Sequence, residues 1–401
     1  MPRLMRAPAA VQALEELQRS EYGLQGDALP DDGHRASLRD ALRMERISSA
    51  LDQGGLDAAI GAAGDDAEVE REVDRLAQTW RLDDPTQWSR YERPDQAVLI
   101  ASLTDRLDHA VGLLDWTLTT PPAVGTLPTR QTGALAQESG GGPVVLVDSG
   151  FFRFATTVAT LAVQTSWDLS TVGVIHEASF QLLTDLLVTH FAAGSLLLLN
   201  PRHMPEPFDG LVDALADGIA LFVLGHEYAH VIAGDTESHP LTDDGRPPDD
   251  IESSADARGL QLALLGDQPR LAAQARGYPL SAALAHLAAL GVMQAAADTY
   301  ELSEPGAHAS GHPPPSRRFR RIHEAVQESS LVAELGDALV MGEQFSTALH
   351  TLWQELQPAF AVVAPLLRDH AFDGRTPGVY EVQALVAAAW AEVRADIGLP
   401  E

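Results

Sequence analysis

Residues 221–235 read LFVLGHEYAHVIAGD, and this stretch limits the possible folds more than any other. The segment predicts one long helix from about Asp209 to Ala233, stopped by Gly234. On a helix, positions i and i+4 share a face, with Cβ atoms about 5–6 Å apart. His226 and His230 can therefore turn their ring nitrogens to one metal ion, at the roughly 2.0–2.1 Å that zinc–nitrogen bonds require. Glu227 lies one position round, where it can reach a zinc-bound water without ligating. H-E-x-x-H thus puts two ligands and a general base on one rigid element.

A catalytic zinc needs a third protein ligand and one open position, and three candidates compete. His239 lies in the polar loop that follows the helix, as do several aspartates. Glu252 opens the next helix, with Asp256 one turn further on the same face. Ala233 and Thr236 stand where a metzincin requires glycine and histidine, so that class is excluded. The bland alternative is that the histidines are ordinary half-buried helix residues and Glu252 merely favours a helix N-terminus.

The chain of 401 residues carries 27 basic and 57 acidic side chains, a formal charge of −30. Such a surface repels phosphate backbones and anionic lipid heads, so nucleic acid is not an expected partner. Every basic residue is arginine, which fits the composition bias of a GC-rich genome. The absence of cysteine excludes disulfides, thiolate zinc sites and cysteine nucleophiles. The N-terminus has no signal-like apolar run. No apolar stretch of about 18 residues is expected; the nearest, residues 211–225, is interrupted by Asp213 and Asp217. The expectation is a cytoplasmic, soluble protein with no membrane span, and 45% hydrophobic residues suffice for a core.

Apolar spacings of three and four predict helices over 9–20, 35–53, 67–80 and 94–116. The texture then turns to Thr, Val and Pro over 117–130, and PVVLV (143–147) sits between glycine-rich turns, predicting a small sheet. Helices resume over 151–165, 176–195 and 209–233, from 249 or 250 to 265 with Gly266 beyond the end, over 280–301, and from Ser316. Three more fill 330–401. The predicted fold class is α+β, predominantly helical, with a zincin-like core whose small sheet packs on the H-E-x-x-H helix. Its parts are an N-terminal helical region (1–116), a metallopeptidase-like core (117–329, with an insertion at 155–206) and a C-terminal helical region (330–401).

These motifs resemble the HtpX-like and CAAX-processing zinc metallopeptidases among the glutamate-zincins. The resemblance covers about residues 122–325. It rests on H-E-x-x-H at 226–230, E-x-x-x-D at 252–256, the segment 125–154 with Asp148-Ser149-Gly150-Phe151-Phe152, and GHPPPSRRFRRI at 311–322. It implies that His226, His230 and Glu252 bind Zn2+, that Glu227 is the base, and that Asp256 accepts the free N–H of a ligand histidine. It also implies that His312 or Arg318 lies near the cleft; the three prolines after His312 make a stiff loop that could hold it as a catalytic donor to the oxyanion. The strand near 143–148 would then be an edge that takes a peptide in extended form; the alternative is a core strand. The family's transmembrane helices are missing.

The function this implies is a soluble zinc-dependent endopeptidase acting on peptide or protein substrates. Its N-terminal and C-terminal flanks, or the loop 235–248, would cover the cleft until a regulatory partner or substrate arrives. The alternatives are a helical interaction or regulatory protein with a structural or vestigial zinc site, and a protease toxin or effector. Among lesser candidates, His312 could equally be a surface turn histidine, and His308 is weaker. Four arginines in 316–326 should pair with carboxylates of the chain, or else meet an acidic substrate. Tyr228 and Tyr300 are remote candidates for oxyanion donors, and the Asp-rich loops 26–33 and 243–250 read as solvated turns.

Overall fold

The computed structural model describes residues 6, 8–21, 39, 66–80, 89, 92, 94–127, 133–193, 196, 199, 204, 208–236, 247–267, 277–302, 313–328, 332–371 and 379–397. The helix predicted over 35–53 lies outside them apart from Arg39. The described helices are α1 (Pro8–Glu21), α2 (Asp66–Trp80), α3 (Pro94–Leu113), α4 (Phe151–Thr171), α5 (Glu177–Val188), α6 (Asp209–Ala233), α7 (Pro248–Asp267), α8 (Tyr278–Tyr300), α9 (Pro315–Glu328), α10 (Val332–Phe360), α11 (Ala364–Ala371) and α12 (Val379–Asp396). A π-turn, Thr189–Ala193, extends α5. Between α3 and α4 lie β1 (Ala123–Leu127), β2 (Ala134–Ser139) and β3 (Gly142–Asp148). The fold is therefore predominantly helical with a small three-stranded mixed sheet.

The strand order is β1-β3-β2, with β3 parallel to β1 and antiparallel to β2. The β2–β3 hairpin inserts β3 between its neighbours, so the run PVVLV is the central strand. Of the two readings of 143–148, the core strand holds and the peptide-binding edge does not: among the described residues the edge strands are β1 and β2. The alternation of β3 sorts its two faces. Val145 and Val147 join the main core, while Val144 and Leu146 join a smaller cluster with Ala10, Val11 and Leu14 of α1. The sheet is thus sandwiched between α1 on one side and the main helical core, with α6, on the other. Among the described residues, α1 covers the sheet face away from α6, while α3 packs on the H-E-x-x-H helix itself, with Arg106 paired to Asp217 at 2.5 Å.

Among the described residues, the main core draws on all three predicted parts of the chain, from Ile100 and Leu107 of α3 to Val393 of α12. Removal of residues 1–110 would therefore strip part of the core with the flank. Among the described residues, helix α8, and not residues 211–225, is the stretch long and apolar enough to cross a membrane, which corrects the expectation that none occurs; 78% of its most apolar 18 residues are buried inside the molecule. A core helix needs all-round apolarity as much as a span does.

Helix α6 ends where its sequence says it should: Gly234 adopts φ 73° and closes the helix in the left-handed conformation. Helix α7 runs past its predicted end. Gly266 lies inside it, because the missing side chain lets α7 pass the backbone of Arg106, 3.1 Å from where a Cβ would sit.

Candidate metal centre

Helices α6 and α7 cross at a contact between two glycines. A Cβ on Gly225 would lie 2.7 Å from the Gly259 carbonyl oxygen, and one on Gly259 would lie 2.6 Å from the His226 nitrogen. Only at glycine can two helices touch backbone to backbone in this way. Gly225 directly precedes His226, and Gly259 lies seven residues, two turns, after Glu252. The crossing therefore draws the start of α7 in against the two histidines.

The three predicted ligands converge. His226 Nε2 lies 3.1 Å from His230 Nε2 and 3.4 Å from Glu252 Oε2, and His230 Nε2 lies 3.6 Å from Glu252 Oε1. Ligand atoms held tetrahedrally by bonds of about 2.0–2.1 Å sit about 3.4 Å apart, so the triangle has the size of one zinc-like coordination shell. Among the described residues, this is the group that can hold a metal ion. All three are nearly out of solvent, at 3%, 7% and 9% exposure.

The far nitrogens of both rings are engaged. His226 Nδ1 meets Asp256 Oδ1 at 2.9 Å, and His230 Nδ1 meets Asp235 Oδ1 at 3.0 Å. An ionised carboxylate accepts only, so each imidazole donates from Nδ1 and turns the bare Nε2 lone pair inward. Two lone pairs and a carboxylate facing each other at this range require a cation between them. Without a metal, that cation is a proton. Burial alone pulls the His226 imidazole down, but its hydrogen bonds to Asp256 and Glu252 outweigh this and raise its pKa from 6.5 to about 9. Burial also works against ionised Asp256, yet the Arg318 guanidinium holds its carboxyl well below the usual carboxylate range. Arg318 grips it with Nε–Oδ2 at 2.9 Å and Nη2–Oδ1 at 2.5 Å.

Glu227, 5% exposed, does not join the triangle. Its Oε2 accepts the backbone N–H of Ala136 in β2 at 2.7 Å. One carboxylate oxygen is thereby fixed against the sheet edge.

Other predicted residues lie elsewhere. Tyr228 is fully buried on the opposite side of α6, with its hydroxyl 3.3 Å from Asp108 and its pKa pushed up by burial. Tyr300 donates to the Gln357 carbonyl near the C-terminal end of α8. Neither is an oxyanion donor here. Three of the four arginines of α9 pair within the chain: Arg318 with Asp256, Arg317 with Asp249, and Arg321 with the Asp249 carbonyl at 2.7 Å. His312, His308 and His239 lie outside the described residues.

Sequence reading missed Asp235 and the glycine pair. The signal for Asp235 was its place after Gly234. The left-handed turn brings the Asp235 N–H to within 3.1 Å of the His230 carbonyl, and so folds the carboxylate back over that ring. No family model, no curated protein and no solved structure matches this chain.

Proposed function

We propose that the chain is a zinc-dependent endopeptidase with a glutamate-zincin-like centre, acting on extended polypeptide segments. The observation that carries this reading is the combination on α6 and α7. His226, His230 and Glu252 form a triangle of ligand size, and Glu227 stands beside it at the edge of a strand. A zinc ion held there supplies Lewis acidity, polarising a carbonyl and acidifying water. Glu227 takes a proton from the attacking water on a carboxylate oxygen and later delivers it to the leaving amine. Asp256 and Asp235 keep the two imidazoles oriented through Nδ1, and Arg318 keeps Asp256 in place. The outer side of β2 offers backbone groups to a peptide laid alongside it; this role passes to β2 from the central β3.

A second reading, a helical interaction protein with a purely structural metal, is favoured by the burial of His226, Glu227, His230 and Glu252 together. Two experiments separate the readings. Metal analysis of purified wild type should find about one equivalent of zinc, and none in His230→Ala. Glu227→Gln should keep the metal and lose cleavage of an unfolded-protein or peptide library. A wild type that binds zinc yet cuts nothing in the library supports the structural site.

A further inference from the structure

The β2–β3 ladder fixes which way each backbone group of β2 points. The Asp148 N–H donates to the Gly133 carbonyl at 3.0 Å, and the register pairs Leu135 with Leu146, Ala136 with Val145 and Gln137 with Val144. Bonded and non-bonded pairs alternate in an antiparallel ladder, so Leu135 and Gln137 exchange bonds with β3. Ala136 therefore turns its N–H and C=O to the outer side, where the described residues provide no further strand. There its N–H meets Glu227 Oε2.

A peptide adding to this edge would need the same N–H for its own carbonyl. A single amide proton in a charge-assisted bond of this length serves one acceptor well, so the two demands compete. We propose that the Ala136 N–H is a shared donor: it holds the Glu227 carboxylate in the resting protein and passes to a substrate carbonyl when an extended peptide docks on β2, which frees the base for the reacting water. Ala136 is in this sense a positioning residue, acting on the reaction through Glu227. The exchange swaps one hydrogen bond for another and makes or breaks no covalent bond. It deepens the peptidase reading and rests on it. The base is then released only by a chain long and extended enough to reach Ala136, so selection is by backbone reach and not by side chain.

The test uses the zinc-loaded full-length protein. Ala136→Pro deletes the donor, and proline is tolerated on an edge strand where the N–H faces away from the ladder, although its ring must fit at a position only 2% exposed. Two substrates share one scissile bond: an internally quenched octapeptide cut by wild type, and an acyl-dipeptide amide too short to reach Ala136. In wild type the octapeptide kcat should exceed that of the short amide by about a hundredfold, the scale of losing a positioned base. In Ala136→Pro the short-amide kcat should rise about tenfold and the octapeptide KM about fivefold, the latter being one backbone hydrogen bond lost. An unchanged ratio of the two kcat values, or an equal fall in both, overturns the proposal.

A second measurement covers a variant that fails to fold. The Ala136 amide should exchange with solvent at least about tenfold faster in Glu227→Ala than in wild type, a readout independent of turnover. Equal exchange in a wild type that cuts peptides overturns the shared donor alone. A wild type that cuts no peptide brings down the peptidase reading, and this proposal with it.

Discussion

The two edges of the small sheet are finished in opposite ways. At β1, side chains complete the backbone: Thr126 N–H donates to Glu92 Oε2 at 2.7 Å, Gln18 Nε2 donates to the Thr126 carbonyl at 2.9 Å, and Arg6 Nε donates to the Pro122 carbonyl at 2.9 Å. These groups mimic a neighbouring strand and leave no place for one, which protects an edge from unwanted pairing. At β2, the outward N–H of Ala136 meets the carboxylate of Glu227 beside the metal triangle. One edge is closed by residues whose task is to hold the fold. The other ends on the residue best placed for chemistry. On the proposed peptidase reading, the sheet is finished there with the general base in place of a structural residue.

The largest expected effect is on the β2 side. Glu227→Gln should cut peptide turnover by about 10³-fold, with zinc content and thermal midpoint little changed. Activity assays and metal analysis on the same sample check this, and a large loss of stability would put the two edges on an equal footing. On the β1 side the pattern should reverse. Glu92→Ala leaves the buried Thr126 N–H and the Gln18 amide short of a partner and should cost about 3 kcal/mol in denaturant titration. Zinc affinity of the folded fraction should hold; a loss of zinc as large as the loss of stability would break the distinction. Gly259→Ala tests what draws the metal triangle together. A methyl pressed against His226 must part the helices, costing about 1–3 kcal/mol of packing. It should weaken zinc binding about 10–100-fold in a chelator competition.

The smallest effect per step is with pH. Below about 9 the metal-free His226 carries a proton that zinc must displace, so apparent zinc affinity should rise about tenfold per pH unit up to that point. The metal-free protein should behave the opposite way. The stabilisation from protonated His226 is fully present below 6.5, the unfolded value, and is lost as pH rises through about 9. Melting curves of metal-free and zinc-loaded samples at pH 6 and pH 9 should therefore move in opposite directions.

Much of this was legible in the sequence because it depends on spacing along one helix. The i and i+4 histidines, the stop at Gly234 and the E-x-x-x-D face of α7 are local facts, and the structure brings those residues together. The places where reading failed are contacts between elements. That β3 is central and β2 outermost follows from a hairpin folding back beside β1, which no periodicity within 143–148 records. Gly266 read as a terminator because glycine ends helices more often than it packs them; its neighbour across the contact is Arg106, 160 residues away. Glu92 gave no signal, since a buried carboxylate that serves a strand edge looks like any acidic residue before a helix.

The glycine contact between α6 and α7 has a consequence for how this protein can change over time. The spacing of the ion cage is set by main-chain atoms, 225 against 259, and not by the shapes of the apolar side chains around them. Those side chains can be exchanged wholesale as long as the interior stays filled, while the geometry of the cage persists. A lineage descending from this chain could lose nearly all resemblance to it in its core and keep a triangle of side chains able to hold an ion, provided it never gains a carbon at either of two positions.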